Sequence, residues 1–249
     1  MANQDFNALG RAGALGDQAT FDAGLRAHMI RVYNYMASGL ALSGIVAFGL
    51  FSSPQLASVF FQVNGGYVVG LTGLGWIATL APLGLLLLVS FRAAQMSTAS
   101  VQAVYWAVTA LMGVSLSLVL FRYTGASVAR TFFVTAAAFG ALSLYGYTTK
   151  RDLTAMGKFL FMGVVGLILA SIVNMIWPSG TMSFIISAAG VLIFSGLIAY
   201  DTQKIKEQYS EAWGTDMIEK VAVFGALSLY LDFVNLFQFL MSFMGQSRD

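Results

Sequence analysis

Seven runs of about twenty apolar residues, separated by short polar breaks, constrain this chain more than any other feature. A helix rises 1.5 Å per residue, so about 20 apolar residues cross a hydrocarbon core ~30 Å thick. The runs lie at 32–52, 73–91, 101–122, 128–148, 156–177, 181–201 and 217–243. Between them stand turn-forming segments: SSPQ, NGG, RYTGAS, KRD, WPSG and EAWGTD. Residues 53–72 are half apolar but hold Pro54, Gly65 and Gly66, and read as an outer loop with an interfacial segment. The expected fold is an all-α membrane protein of seven transmembrane helices. One domain, 20–249, carries them.

Composition removes several function classes. Charged residues make up 10% of the 249, against about 25% in soluble domains. A net charge of +2 offers nothing to nucleic acid. Cysteine is absent, which excludes disulfides, thiol catalysis and cysteine-held metals. The single histidine, His28, rules out an HExxH zinc site and a Ser–His pair inside the membrane. It reads as an interfacial residue. No lysine follows Lys220, so the last span cannot hold retinal as a Schiff base. No cofactor is implied.

The first nineteen residues are small, polar and glycine-containing, and are expected to be disordered. They contain no signal-peptide core, so the first span is expected to act as its own targeting signal. Thr20 to Arg31 reads as an amphipathic lead-in at the interface, with Asp22 and Arg26 one turn apart. Lysine and arginine set the orientation. Arg11, Arg26, Arg31, Arg92, Lys150, Arg151, Lys158, Lys204, Lys206 and Lys220 fall on one side. Arg122, Arg130 and Arg248 fall on the other. Ten against three puts the N-terminus in the cytoplasm and the C-terminus outside, and an even number of spans breaks the alternation. Small residues at Ala136 and Gly140, or Gly166 and Ala170, suit close helix approach.

Two acids stand out because a charge inside a bilayer costs about 2.5–3.5 kcal/mol on insertion scales. Asp201 ends the sixth run in SGLIAYDTQKIK; alone it reads equally as a helix-end acid paired with Lys204 or Lys206. Asp232 lies deep in the seventh, in LSLYLDFVNLFQFLM, with no base within a turn. Asn235 shares its face, one turn on. Polar residues on an otherwise apolar helix suit a central position lining a narrow path. Arg92 closes the second run on the side of Asp201, and reads as an arginine fork for two carboxylates or as a snorkelling anchor. If spans six and seven are straight and meet at a loop over 208–215, Asp232 sits about ten residues deeper than Asp201, roughly 15 Å. The acids meet only if the last helix bends near Gly225 or the sixth overshoots the membrane.

Four segments together resemble the Bax inhibitor (transmembrane Bax-inhibitor-motif) family in its bacterial branch. They are DAGLRAHMIRVYNYMASGLALSG, ALSLYGYTTKRDLTAMGKFLFMGVVGLILASIVN, IFSGLIAYDTQKIK and ALSLYLDFVNLFQFLM, in order across residues 22 to 241. The resemblance implies seven helices with the C-terminal helix central, surrounded by the other six, and residence in a bacterial inner (plasma) membrane. It further implies a pH-sensitive calcium leak in which Asp201 and Asp232 match paired, pH-sensing aspartates. Arg92 matches a latch arginine through the less distinctive SFRAAQMS. Implied partners are calcium ions, protons and the lipid bilayer. Bacterial relatives are also linked to modulation of an AAA-type membrane protease. The cell-death role of eukaryotic relatives does not transfer by motif.

The chemistry is coherent. Two close carboxylates in a low-dielectric site cannot both ionise cheaply and titrate as a pair. Their oxygens suit Ca²⁺ but are too few for a tight site, so Asp201 and Asp232 would hold it weakly and transiently. Two other readings compete with a pH-sensitive cation leak. One is a non-catalytic regulator of a membrane protease. The other is an intramembrane aspartyl protease, but Leu229-Tyr230-Leu231-Asp232 replaces the GxGD pattern of that class, and its Pro-Ala-Leu element is absent. The protein is expected not to be an enzyme.

Overall fold

Each apolar run folds as one helix because lipid offers no partner to backbone N–H and C=O groups. The computed structural model describes residues 2–64, 67–93 and 95–248, with side-chain burial from Thr20 onward except at Tyr67. The spanning helices are α1 (Ala2–Ser52), α3 (Gly73–Arg92), α4 (Thr98–Arg122), α5 (Gly125–Thr148), α6 (Thr154–Ile176), α7 (Gly180–Glu207) and α8 (Thr215–Met244). All seven are long and apolar enough to cross a membrane, α1 over Thr20–Ser52. Four start on side-chain caps, with Thr72, Ser97, Thr124 and Ser179 each accepting a backbone N–H of the first turn.

The last helix is the core. In its most apolar window α8 buries 61% of its residues, against 11–33% in the other six spans. Helices α1, α4, α5 and α7 pack directly on it, while α3 stands behind α4 and α6 behind α7. Its buried stripe of Ala222, Val223, Ala226, Leu229, Tyr230, Val234 and Met241 joins one cluster with Val32, Val108, Phe139 and Ile198. Close crossings use glycines other than those the spacing suggests. Gly113 lies where a Cβ would meet Val46 and the carbonyl of Ser43, and Gly146 lies against the backbone of Ala199. Gly140 and Gly166 face open space.

Two expectations are corrected. Residues 53–72 form a short helix α2 (Pro54–Phe60) and a hairpin, β1 (Phe61–Asn64) with β2 (Tyr67–Leu71), antiparallel. Gly65 and Gly66 lie outside the described residues. Proline at the first position and the cap on Ser53 start α2. Phe61 anchors the hairpin among Leu50, Ala57, Ala78 and Val114. The 20–31 lead-in does not lie flat on an interface. It packs as a continuous part of α1, burying Leu25, His28 and Met29 beneath Tyr209 of the α7–α8 loop. The backbone over residues 2–19 also continues α1, consistent with its alanines.

Candidate functional site

Residues 201–203, just before the last turn of α7, hold three neighbours with three consecutive side chains. Thr202 hydrogen-bonds Ser143 of α5 at 3.0 Å, and Ser143 in turn bonds Tyr33 of α1 at 2.6 Å. Gln203 takes over the capping of α6, which lacks a side-chain cap of its own. Its Oε1 accepts from the Leu153 N–H at 2.8 Å, and its Nε2 donates to the Arg151 carbonyl at 2.8 Å. Asp201 points to α8. Each residue turns 100° from the last, so a single turn reaches all three sides.

Asp201 and Asp232 meet. Their carboxyl groups are within hydrogen-bonding reach of each other. A carboxyl–carboxyl hydrogen bond requires one of the pair to hold a proton. Asp232 is 6% exposed, and its Oδ2 has no hydrogen-bond partner.

The register of α7 against α8 explains how they meet. Ile205 packs at Gly225, Gly190 takes the ring of Phe239, and the hydroxyls of Ser187 and Ser242 bond at 3.0 Å. The residue numbers of these pairs sum to about 430, so the antiparallel pair is centred near residue 215 rather than in the middle of the loop. The first two turns of α8 run beside loop 208–214, beyond the end of α7. Asp232 is then displaced from Asp201 by about one turn instead of ten residues. Helix α8 is continuous from Thr215 to Met244, so no break at Gly225 is needed. Helix α7 ends at Glu207, six residues past Asp201, so the overhang belongs to α8, and it is this offset rather than the expected bend at Gly225 that brings the acids together.

The overhang of α8 is fastened separately. Arg31 of α1 pairs with Glu219 at 3.0 Å, and Tyr35 donates to the other oxygen of Glu219. Gln102 of α4 donates to both the Tyr35 hydroxyl and Glu219. Sequence reading missed this group, although Glu219 in the first turns of the last span was its visible sign.

Not every expected member joins the site. Arg92 ends α3 exposed, makes no ion pair among the described residues and does not line the cavity that holds the acids. Arg92 lies six residues, more than a turn and a half, beyond Leu86, the last α3 residue on that cavity, which leaves its guanidinium outside. The cation beside Asp201 is Lys204, one turn on along α7. Lys206 is committed to α5, donating to the Tyr147 carbonyl at 2.8 Å. Asn235 lines the cavity with Asp232, its Nδ2 donating back to Leu231 at 2.8 Å.

The acids floor a crevice of about 1070 Å³ between α3 and α6, over α7 and α8. Lys158 and Lys204 stand at its lysine-rich end, and it reaches Met175 near the other end of α6. From Gly157 to Met175 is about 27 Å of helix, most of a bilayer's hydrocarbon thickness. A second, more polar space of about 350 Å³ continues it, sharing Ser171, Met175 and Phe239. Asn174, Ser183, Ser187, Gln238 and Ser242 line that space. On α8 the polar residues 232, 235, 238 and 242 recur at helical spacing, forming one stripe along both spaces. That period was readable in the sequence beyond Asn235. Phe239, stacked on Phe194 with centroids 5.7 Å apart, lines both spaces. No cluster of three or more His, Cys, Asp or Glu residues suited to a bound metal occurs among the described residues.

The comparisons with known proteins agree with this architecture. Residues 25–249 match the family described as "Inhibitor of apoptosis-promoting Bax1". An uncharacterized protein of Caulobacter vibrioides is 52% identical, covering 92% of each chain. One of Rickettsia prowazekii is 46% identical over 92% of this chain and 94% of its own. The inner membrane protein YbhL of Escherichia coli is 40% identical over 91% of this chain and 94% of its own. The seven-span fold around a central C-terminal helix and the whole-length match lead to one conclusion: this chain is a multi-pass membrane protein of the Bax inhibitor family.

Proposed function

We propose that the protein is a cation leak, calcium foremost, whose conductance is set by protonation of the Asp201–Asp232 pair. The observation that carries this reading is the buried Asp232 Oδ2, unpartnered on the floor of a crevice that extends most of the way along α6. An anionic oxygen without a donor in a low-dielectric site attracts either a proton or a cation. When the pair shares one proton, the crevice floor carries a single negative charge, and when that proton leaves, two charges face each other. The carboxylates repel at that distance, so the turn of α7 that carries Asp201 has a reason to shift against α8. Asn235, Gln238 and Ser242 supply neutral oxygens beyond the acids, weak enough for an ion to leave. The acids act as a site of passage and not as a catalytic dyad, so we read the protein as non-enzymatic. By analogy with the inner membrane relative, it resides in the inner membrane, with the lysine-rich end and the N-terminus in the cytoplasm.

Calcium flux into dye-loaded proteoliposomes, followed from pH 5 to 8, tests this. Wild-type flux is expected to change with pH, and Asp201→Asn and Asp232→Asn each to remove that change. Flux and pH response unaltered in both variants would overturn the reading.

A further inference from the structure

We propose a second site, on the opposite face of α8: a groove that seats one acyl chain of an anionic phospholipid, with its phosphate on Arg248. The groove lies between α1 and α5, with α4 (Leu116, Val119 and Leu120) behind, and has a volume of about 460 Å³. That is within the ~300–1,000 Å³ range of small-molecule sites. Its floor is the aromatic face of α8, Phe233 and Phe237. Along α1 it extends from Leu40 to Phe51, about 16 Å of helix. That length is about half of a ~30 Å hydrocarbon core, the depth of a single leaflet. The lining is apolar throughout except at one point, the mouth, where Arg248 stands.

Arg248 is positioned there rather than trailing free. The C-terminal segment is clipped to the start of α5. Thr124 N–H donates to the Gln246 carbonyl at 3.0 Å, Gln246 N–H to Ser127 Oγ at 3.0 Å, and Arg248 N–H to the Arg122 carbonyl at 2.9 Å. Its guanidinium lies 4.6 Å from the centre of the Phe51 ring, over the groove's edge. No acidic residue occurs in the other connections at this end, 53–72, 123–124 and 177–179, nor in 245–248; the acid next to Arg248 in sequence, Asp249, lies outside the described residues. Arg248 makes no ion pair among the described residues. A fixed guanidinium above an apolar slot one leaflet deep is complementary to a phosphate above an acyl chain.

The walls support an occupant. Gly44 in the middle of α1 and Gly125 at the start of α5 both line the groove, and a Cβ at either meets nothing within 4 Å. A mid-helix glycine is destabilising relative to alanine, and no protein contact at its Cβ position requires one here. What the missing side chain leaves at Gly44 is width for a chain from the bilayer.

The test is native mass spectrometry of the full-length protein in mild detergent. Phosphatidylglycerol or phosphatidylcholine with identical chains is added, and a parallel titration uses inorganic phosphate. Wild-type protein is expected to retain phosphatidylglycerol several-fold over phosphatidylcholine. Arg248→Gln is expected to bring that ratio to about one, and Gly44→Leu to lower retention of both lipids about tenfold. Leucine at 44 enters open space and improves helix propensity, so folding is preserved; the same thermal midpoint in both variants checks this. Unchanged selectivity in Arg248→Gln, unchanged retention in Gly44→Leu, or displacement of phosphatidylglycerol by inorganic phosphate alone would each overturn the proposal. The Asp201–Asp232 pair is untouched by either variant, so this result is independent of the flux assay.

Discussion

Helix α8 has two faces that meet two crevices, and they differ in what they leave unfilled. On one face Asp232 and Asn235 look into the space between α3 and α6, and Gln238 and Ser242 into the space that continues it between α6 and α7. On the other, Phe233 packs edge-to-face on Phe132 and Phe139, with centroids 5.7 Å away in each case. The aromatic face gains dispersion contacts and holds the bundle together. The polar face gives up packing to keep oxygens accessible. Adjacent residues, Asp232 and Phe233, therefore divide stability and passage between them.

The widest separation expected is between those two residues. Phe233→Ala empties a buried aromatic site and should lower the unfolding free energy by about 3 kcal/mol, read by SDS titration in mixed micelles. Its flux should keep the wild-type pH response. Asp232→Asn should do the reverse, changing stability by less than about 1 kcal/mol while flux loses its pH response. If both variants alter the same quantity, the division of labour fails. Next in size is Phe239→Ala, which removes the ring that lines both spaces and should raise calcium flux several-fold. Unchanged flux would mean that the path does not pass that ring. Gln203→Leu removes two hydrogen bonds at the start of α6 and strands the Leu153 N–H, at a cost of about 2 kcal/mol. Hydrogen exchange should show this loss concentrated at 151–157, on the wall of the polar crevice.

The smallest effect belongs to Asp152, outside the spans. Thr154 donates hydrogen bonds to it, its backbone N–H at 2.8 Å, and these hold its carboxyl below the usual range. The folded state therefore binds the proton less readily than the unfolded chain. The resulting stabilisation is present above the ordinary carboxylate value of about 3.9 and is lost as pH falls through the lower folded value. Asp152→Asn should lower the thermal midpoint slightly at neutral pH, and the difference should vanish in acid.

The spans were legible because the bilayer sets their length, and Asp232 was legible because an apolar run makes any acid conspicuous. Where the acids stand relative to each other was not. Residues 201–232 do not announce that α8 begins two turns before its contact with α7, because loop 208–214 has nothing in its composition that fixes a register. Arg92 shows a similar limit: its position at a helix end is readable, but the direction its side chain takes is not. His28 looked interfacial because it falls in the lead-in, between Arg26 and Arg31 and ahead of the first apolar run. The Tyr209 ring that buries it comes from 181 residues further along the chain. The hairpin at 61–71 was hidden because it is short and apolar, a pattern shared by strands and interfacial helices alike.

The helix at the centre of the bundle follows the six other spans in chain order. Six spans leave the ribosome before the one they pack around exists. Until then Glu219 and Asp232, the partners of Arg31 and Asp201, are missing. The interior of the growing protein is held by lipid, water or insertion factors. The middle of the bundle then fills in one late event, in which α8 enters and the segment behind it pairs Thr124 with Gln246 and Arg122 with Arg248. A chain cut short before residue 215 lacks its middle and not its edge. It should be recognised by quality control as unassembled, however well its first six helices have inserted.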